Sequence, residues 1–354
     1  MSLTLRGLAR RRASKQGRAR RKVLKTRQPS LEPLEGRELL SHTPHALPAI
    51  QARHAARLAA QTAGGPQPSG YHEIQNVVYS KDGQKLDLYI PNGPAPPGGR
   101  EAVVAFPGGG WKWASKTEYG SHVSALASYG FVVAVADYTY STGAPGTRVW
   151  PIDFQDVQNA VRWVRGNADR LGIDPNKIAA EGVSSGSYMA NMLGTYPDGP
   201  VSAESLPPNP IGPGTPDGIS ARVQAVVDFY GPTDMTALYK DEPRTRPDII
   251  SFLGGTPDQF PARYQAASPI QLVSPDDPPF FIVQGTGDRA VPVNQSYMLD
   301  SALTNAHVPH RMIILNGISH GFEFKLGALN LLPDVVTFLN QALNHQPLTT
   351  SPNP

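Results

Sequence analysis

Gly182-Val-Ser-Ser-Gly186 fits the pattern G-x-S-x-G. A serine hydroxyl attacks a carbonyl only when its geometry and proton acceptor are arranged for it. The two glycines suit a sharp strand-to-helix turn, because the backbone there is tightly packed and leaves no room for side chains. The segment before the motif, residues 177–183, reads as a strand, and residues 188–193 read as a helix. Such a turn lifts Ser184 Oγ to a helix N-terminus, where free N–H groups and the helix dipole favour developing negative charge. Ser185 and Ser187 are the neighbouring hydroxyls, but only Ser184 holds the central place.

The nine histidines can be sorted as bases for that serine. His42, His45 and His54 lie in an N-terminal tail, His345 lies near the other end, and His72 precedes a hairpin. His122 follows a glycine loop on a predicted helix, and His307 and His310 flank the wrong end of a strand. His320, in Gly317-Ile-Ser-His-Gly-Phe322, follows the strand-like run 311–315, at the carboxyl end where open α/β sheets place their sites. The acid is expected between Ser184 and His320 in the chain, the order Ser, Asp, His of this strand–turn–helix arrangement. Asp288, in Gln284-Gly-Thr-Gly-Asp-Arg-Ala-Val-Pro292, follows a strand and is the first choice. Asp234, in Gly231-Pro-Thr-Asp234, is the second, although a turn or helix cap explains it as well. Phe106-Pro-Gly-Gly-Gly-Trp111 follows another strand. Backbone N–H groups of Gly108 and Gly109, with that of Ser185, are the expected oxyanion hole; Gly110 is a substitute.

These residues need a scaffold, and the pattern supplies one. Residues 74–79 and 85–90 alternate apolar and polar around Lys81-Asp-Gly-Gln84, a hairpin. Apolar runs at 102–106, 131–136, 177–183, 223–229, 279–283 and 311–315 predict buried strands of a parallel sheet covered on both faces. Phe154, Val157, Val161 and Val164 fall on one helical face, in a helix that starts at Asp153. The fold class is α/β, a mostly parallel, doubly wound sheet with helices on both faces. Two long insertions, 198–220 and 232–277, are expected walls or lids of a pocket.

Composition bounds the rest. Residues 1–30 hold 11 Lys and Arg and no acidic residue, leaving 21 basic against 29 acidic residues, a net charge of −8, for the remainder. The basic pI therefore comes from the tail and says nothing about the substrate. The chain has no cysteine, which excludes disulfides, thiol catalysis and cysteine-ligated metals. No run of 18 apolar residues predicts a membrane helix, and no ordinary secretory signal follows the basic start. Residues 1–70 read as a basic disordered tail and linker, residues 71–345 as the catalytic domain, and 346–354 as a C-terminal tail. Deletion of the first segment is expected to leave the body active.

The motifs together resemble the esterase/lipase branch of the α/β-hydrolases, close to the BD-FAE-like and hormone-sensitive-lipase-like groups, over residues 71–345. The matching segments are PGGGW at 107–111, ADY at 136–138, residues 154–179, GVSSG at 182–186, VVDFYGPTD at 226–234, SPI at 268–270, residues 278–296 and SHGF at 319–322. Pro107 stands where that branch usually has a histidine, Gln284 replaces another histidine, and Val183 an acidic residue. The resemblance implies a carboxylic ester hydrolase that works through an acyl-enzyme without metal or organic cofactor. Acetyl or feruloyl esters of polysaccharide, or short-chain acyl esters, are the implied substrates. Trp111 and Tyr188 are the candidate substrate contacts, and no nucleic-acid partner is expected. An arylformamidase-like amide hydrolase and a non-catalytic binding protein of the same fold are the alternatives. Residues 31–41 resemble, in part, the LEPR-XLL motif of bacterial exported or surface proteins, which favours an exported or cell-surface location over the cytoplasm.

Overall fold

The computed structural model describes residues 70–142, 150–198 and 218–349, together with a two-residue strand at 39–40. All belong to one compact unit, Arg37–Pro354. The basic segment 1–30, the rest of the 31–41 motif, the bulk of the 198–220 insertion and residues 350–354 lie outside the described residues.

The sheet strands are β1 (Leu39–Leu40), β2 (Tyr71–Val78), β3 (Lys85–Pro91), β4 (Arg100–Phe106), β5 (Val132–Ala136), β6 (Ile173–Val183), β7 (Ala225–Phe229), β8 (Phe280–Gly285) and β9 (His310–Leu315). Their order across the sheet is β1-β9-β8-β7-β6-β4-β5-β3-β2. The pairs β5/β3 and β3/β2 are antiparallel, as the hairpin signal predicts, and the others are parallel. The apolar runs lack a polar alternation because both faces are buried. Ala102, Val104 and Phe106 of β4 enter one core, while Val103 and Ala105 enter the other. The two-residue β1 lies within the segment expected to be a tail, ahead of the hairpin. The free edge of β9 offers unpaired N–H and C=O groups that a short extended segment satisfies, and two residues carry no period for a pattern to reveal.

Helix α1 (Lys116–Val123) follows the glycine loop, α2 (Ile152–Gly166) is the periodic helix expected from residue 153, and α3 (Ser185–Thr195) begins at the serine turn. The 232–277 insertion folds into α4 (Met235–Asp241), α5 (Arg246–Leu253) and α6 (Pro261–Ala266). Helices α7 (Asn294–Asn305) and α8 (Leu332–Leu343) complete the layers. From β4 the chain goes to β5 on one side, yet β6 lies on the other. The loops leaving the carboxyl ends of β4 and β6 therefore diverge and open a crevice, the switch point where doubly wound sheets bind ligands. Among the described residues no helix is long and apolar enough to cross a membrane.

Candidate active site

Ser184 sits between β6 and α3 with φ 54° and ψ −123°, a region that costs a side-chain-bearing residue about 1–3 kcal/mol. Its surroundings enforce it. The Ser184 N–H donates to the Phe229 carbonyl at 3.0 Å, and the Tyr188 N–H donates to the Ser184 carbonyl at 2.9 Å. The flanking glycines are required by contact. A Cβ on Gly182 would lie 2.4 Å from the backbone of Gly186, and one on Gly186 would lie 2.0 Å from the Phe106 carbonyl oxygen. The turn is thus wedged against the end of β4, beside the glycine loop.

His320 lies in the loop after β9 and Asp288 in the loop after β8. His320 Nε2 is 2.9 Å from Ser184 Oγ, and Nδ1 is 2.7 Å from Asp288 Oδ2. Asp288 is held from four directions. Oδ1 accepts the N–H groups of Ala290 and Val291 at 2.8 and 2.9 Å, while Oδ2 accepts from His320 and from Gln284 Nε2 at 3.2 Å. Gln284 in turn donates to the Val291 carbonyl and accepts from Ser296 Oγ, so it fixes the carboxylate and its loop together. With Nδ1–H committed to the carboxylate, Nε2 is left as the acceptor for the serine proton. Asp234 plays a different part. It caps α4, its Oδ1 accepting the Ala237 N–H at 2.9 Å.

Gly108, Gly109 and Ser185 border the same pocket, and their backbone N–H groups have no partner among the described residues. Gly109 has φ +141°, and a Cβ there would lie 1.6 Å from the Trp113 carbonyl oxygen. Pro107 opens this loop. Its carbonyl accepts the Tyr138 hydroxyl at 2.9 Å, which pins the start of the loop from beneath. The pocket measures about 1100 Å³ and takes one wall from the 232–277 insertion, through Pro232, Arg244, Thr245 and Asp248.

The two aromatic candidates separate. Trp111 borders the pocket but is only 2% exposed, stacked on Phe252 at 4.5 Å. Tyr188 is fully buried and does not border the pocket; it packs edge-on against Trp111 and Phe252. All of α3 is buried, so position 188 faces the core rather than the crevice. The aromatic at the mouth is Trp113, 65% exposed. Nothing local in the sequence ranks Trp113 above Trp111, two residues before it. Tyr230 was not singled out, yet its ring packs against His320 at 4.7 Å and its hydroxyl donates to the Phe322 carbonyl.

Beneath the turn lies Glu181, fully buried on β6. Burial, countered in part by the Tyr119 hydroxyl at 2.6 Å and reinforced by Glu323, pushes its carboxyl up to about 8. The folded state therefore holds a proton that the unfolded chain releases near pH ~4.3. Stability from this group is complete below that value and is lost as pH rises towards 8, by at most about 1.4 kcal/mol per pH unit. Glu181→Gln keeps an acceptor for Tyr119 and removes the titration. Denaturant melts are expected to show the variant gaining on the wild type between pH 5 and 8, then levelling. A constant difference across that range would mean that Glu181 ionises normally.

The BD-FAE family model matches residues 86–303. Esterase LipC of Mycobacterium tuberculosis is 31% identical, over 77% of this chain and 66% of its own length. The chain spans between 42% and 66% of the length of the mycobacterial esterases that it matches. Among solved structures, a truncated carbohydrate esterase from gut microbiota superposes with a TM-score of 0.65 at 27% identity, covering 79% of this chain and 99% of that one. Thermogutta terrifontis esterase 2, phosphonylated by sarin, superposes with a TM-score of 0.60 at 25% identity, covering 79% and 96%. Sequence, fold and the serine turn agree, and the chain belongs to the BD-FAE family of α/β-hydrolase-fold esterases.

Proposed function

We propose that this chain hydrolyses carboxylic esters through an acyl-enzyme on Ser184. The observation that carries the reading is the unbroken relay from Ser184 Oγ through His320 to Asp288, at 2.9 and 2.7 Å, beside unpartnered N–H groups. Ser184 Oγ attacks the carbonyl carbon while His320 Nε2 takes its proton, and Asp288 stabilises the imidazolium. The negative charge on the former carbonyl oxygen is met by the N–H groups of Gly108, Gly109 and Ser185. Collapse breaks the ester C–O bond, and His320 returns the proton to the departing alcohol. Water then repeats the sequence on the acyl-enzyme, releasing the acid and restoring Ser184.

Carbohydrate esters are the favoured substrates. The structural relatives include a carbohydrate esterase, and the curated ones an acetylxylan esterase of Xylanibacter ruminicola. A pocket of about 1100 Å³ with Trp113 exposed at its mouth suits a saccharide better than a narrow acyl tunnel. The test is a chromogenic panel from acetyl to decanoyl esters, with acetylated xylan and a feruloyl ester alongside. Acetyl esters and acetylated xylan should lead, with rates falling steeply beyond butyryl. A preference for decanoyl would replace the carbohydrate reading with a lipase-like one, and no turnover of any ester would end the esterase reading.

A further inference from the structure

Two arginines border the pocket without a partner for their charge among the described residues, Arg244 in the 232–277 insertion and Arg289 in the loop that carries Asp288. Arg244 precedes α5, and Arg289 directly follows Asp288; both border the pocket and both are exposed. Thr245 Oγ1 donates to the Ala290 carbonyl at 2.9 Å, which ties the two loops together and brings the arginines onto one rim. Neither guanidinium has a partner among the described residues. Nearby arginines behave differently: Arg246 donates to the Tyr239 and Lys240 carbonyls, and Arg263 to that of Leu253. Of the acids around them, Asp241 accepts from Asn294 Nδ2 at 2.8 Å and Glu242 accepts the Arg244 backbone N–H at 3.3 Å, while Glu118 is exposed on the pocket, on the His122 side of the lining. Asp288 has four donors and no exposed side-chain surface, and Asp248 is paired with Lys112 at 2.6 Å. Glu323, also on the pocket, is paired with His122.

The same Lys112–Asp248 pair joins α5 to the loop that carries Trp113. An exposed indole, the carboxylate of a neutralised ion pair and two guanidinium groups without partners among the described residues therefore border one pocket. An indole face takes a flat or ring-shaped apolar surface, and a guanidinium takes a carboxylate through paired hydrogen bonds.

We propose that Arg244 and Arg289 form a subsite for a carboxylate on the ester substrate, carried by a ring that rests on Trp113, as in an acidic sugar. The inference rests on the ester-hydrolase reading but is separable from it. The experiment compares matched pairs of esters that differ only in charge. Ortho-nitrophenyl acetate and its para-carboxylate place the charge on the leaving ring; para-nitrophenyl butyrate and the mono-para-nitrophenyl ester of succinate place it on the acyl side. The readout is the ratio of kcat/KM for the anionic ester to that for its neutral twin, so a general loss of activity cancels. Arg244→Ala and Arg289→Ala should each lower that ratio about tenfold for one of the two pairs, one charge-assisted contact being of that order. Arg244→Glu should lower it further, and added salt should shrink every effect. A ratio that moves less than twofold in both pairs would overturn the subsite while leaving the esterase reading intact. Should the wild type turn over neither neutral ester, the esterase reading fails instead, and calorimetric binding of benzoate against benzamide tests the subsite directly. Benzoate should bind more tightly than benzamide, and Arg244→Glu should abolish the preference; equal binding would overturn the subsite.

Discussion

Ser184→Ala is expected to lower kcat for an activated aryl ester by about 10⁶, the scale on which a triad serine contributes elsewhere, while leaving the protein folded. The hydroxyl has one hydrogen bond, to His320 Nε2, so its removal orphans no buried donor or acceptor. The strained backbone at this position is held by the Phe229 carbonyl and the Tyr188 N–H, neither of which involves the side chain. Alanine also keeps the Cβ that lies against the Gly108 side of the crevice. The melting temperature should stay within a few degrees, and reaction with a fluorophosphonate probe should vanish with turnover. A folded variant that keeps more than a few per cent of activity, or still takes up the probe, would transfer the nucleophile to another hydroxyl. Ser185 and Ser187 are poorly suited to that role. Ser185 Oγ stands 3.4 Å from the Tyr138 hydroxyl, and Ser187 Oγ donates to the buried Asp228.

The parts of this structure that were legible in the sequence share a physical property: they are fixed by local pattern. Strand β4 was readable because residues 102–106 are apolar without interruption, and a strand buried on both faces must be. Helix α2 was readable because Phe154, Val157, Val161 and Val164 repeat at helical spacing, and the helix packs these residues into the core against β4, β5, β6 and α3. Ser184, Asp288 and His320 were readable because each follows a strand end, so the topology alone brings them to one edge. What the sequence hid depends on long-range packing. Tyr188 reads as a neighbour of the site, four residues from Ser184, but its direction is set by where α3 meets the sheet, and it points away. Arg244 sits in an insertion whose helices have no strong period, so nothing local says that it reaches the pocket; Thr245 bonding to Ala290 does. Gln284 reads as a departure from the family pattern, and only the geometry gives it work, as the donor that steadies Asp288.

Asp288→Asn is expected to cost about 10⁴ in kcat, and Asp234→Asn little. An asparagine at 288 has one oxygen and one NH₂ to place where the carboxylate had two acceptors. The Ala290 and Val291 N–H groups both aim at the Oδ1 position and hold the amide oxygen there. The NH₂ group then faces His320 Nδ1 and Gln284 Nε2, both of which donate in the wild type. His320 can accept from it only by moving its own proton to Nε2. That tautomer points an N–H at Ser184 Oγ, where an acceptor is needed, so the serine keeps its proton. The Gln284 clash adds local strain but no buried charge, and the fold should survive, as a thermal melt would show. At position 234 the demand is different. The carboxylate accepts one backbone N–H at a helix start, and asparagine caps helices about as well as aspartate. Asp234→Asn should therefore change kcat/KM less than about threefold (~0.65 kcal/mol). The reverse ranking, with Asp234→Asn crippling and Asp288→Asn mild in folded protein, would move the acid of the relay to Asp234.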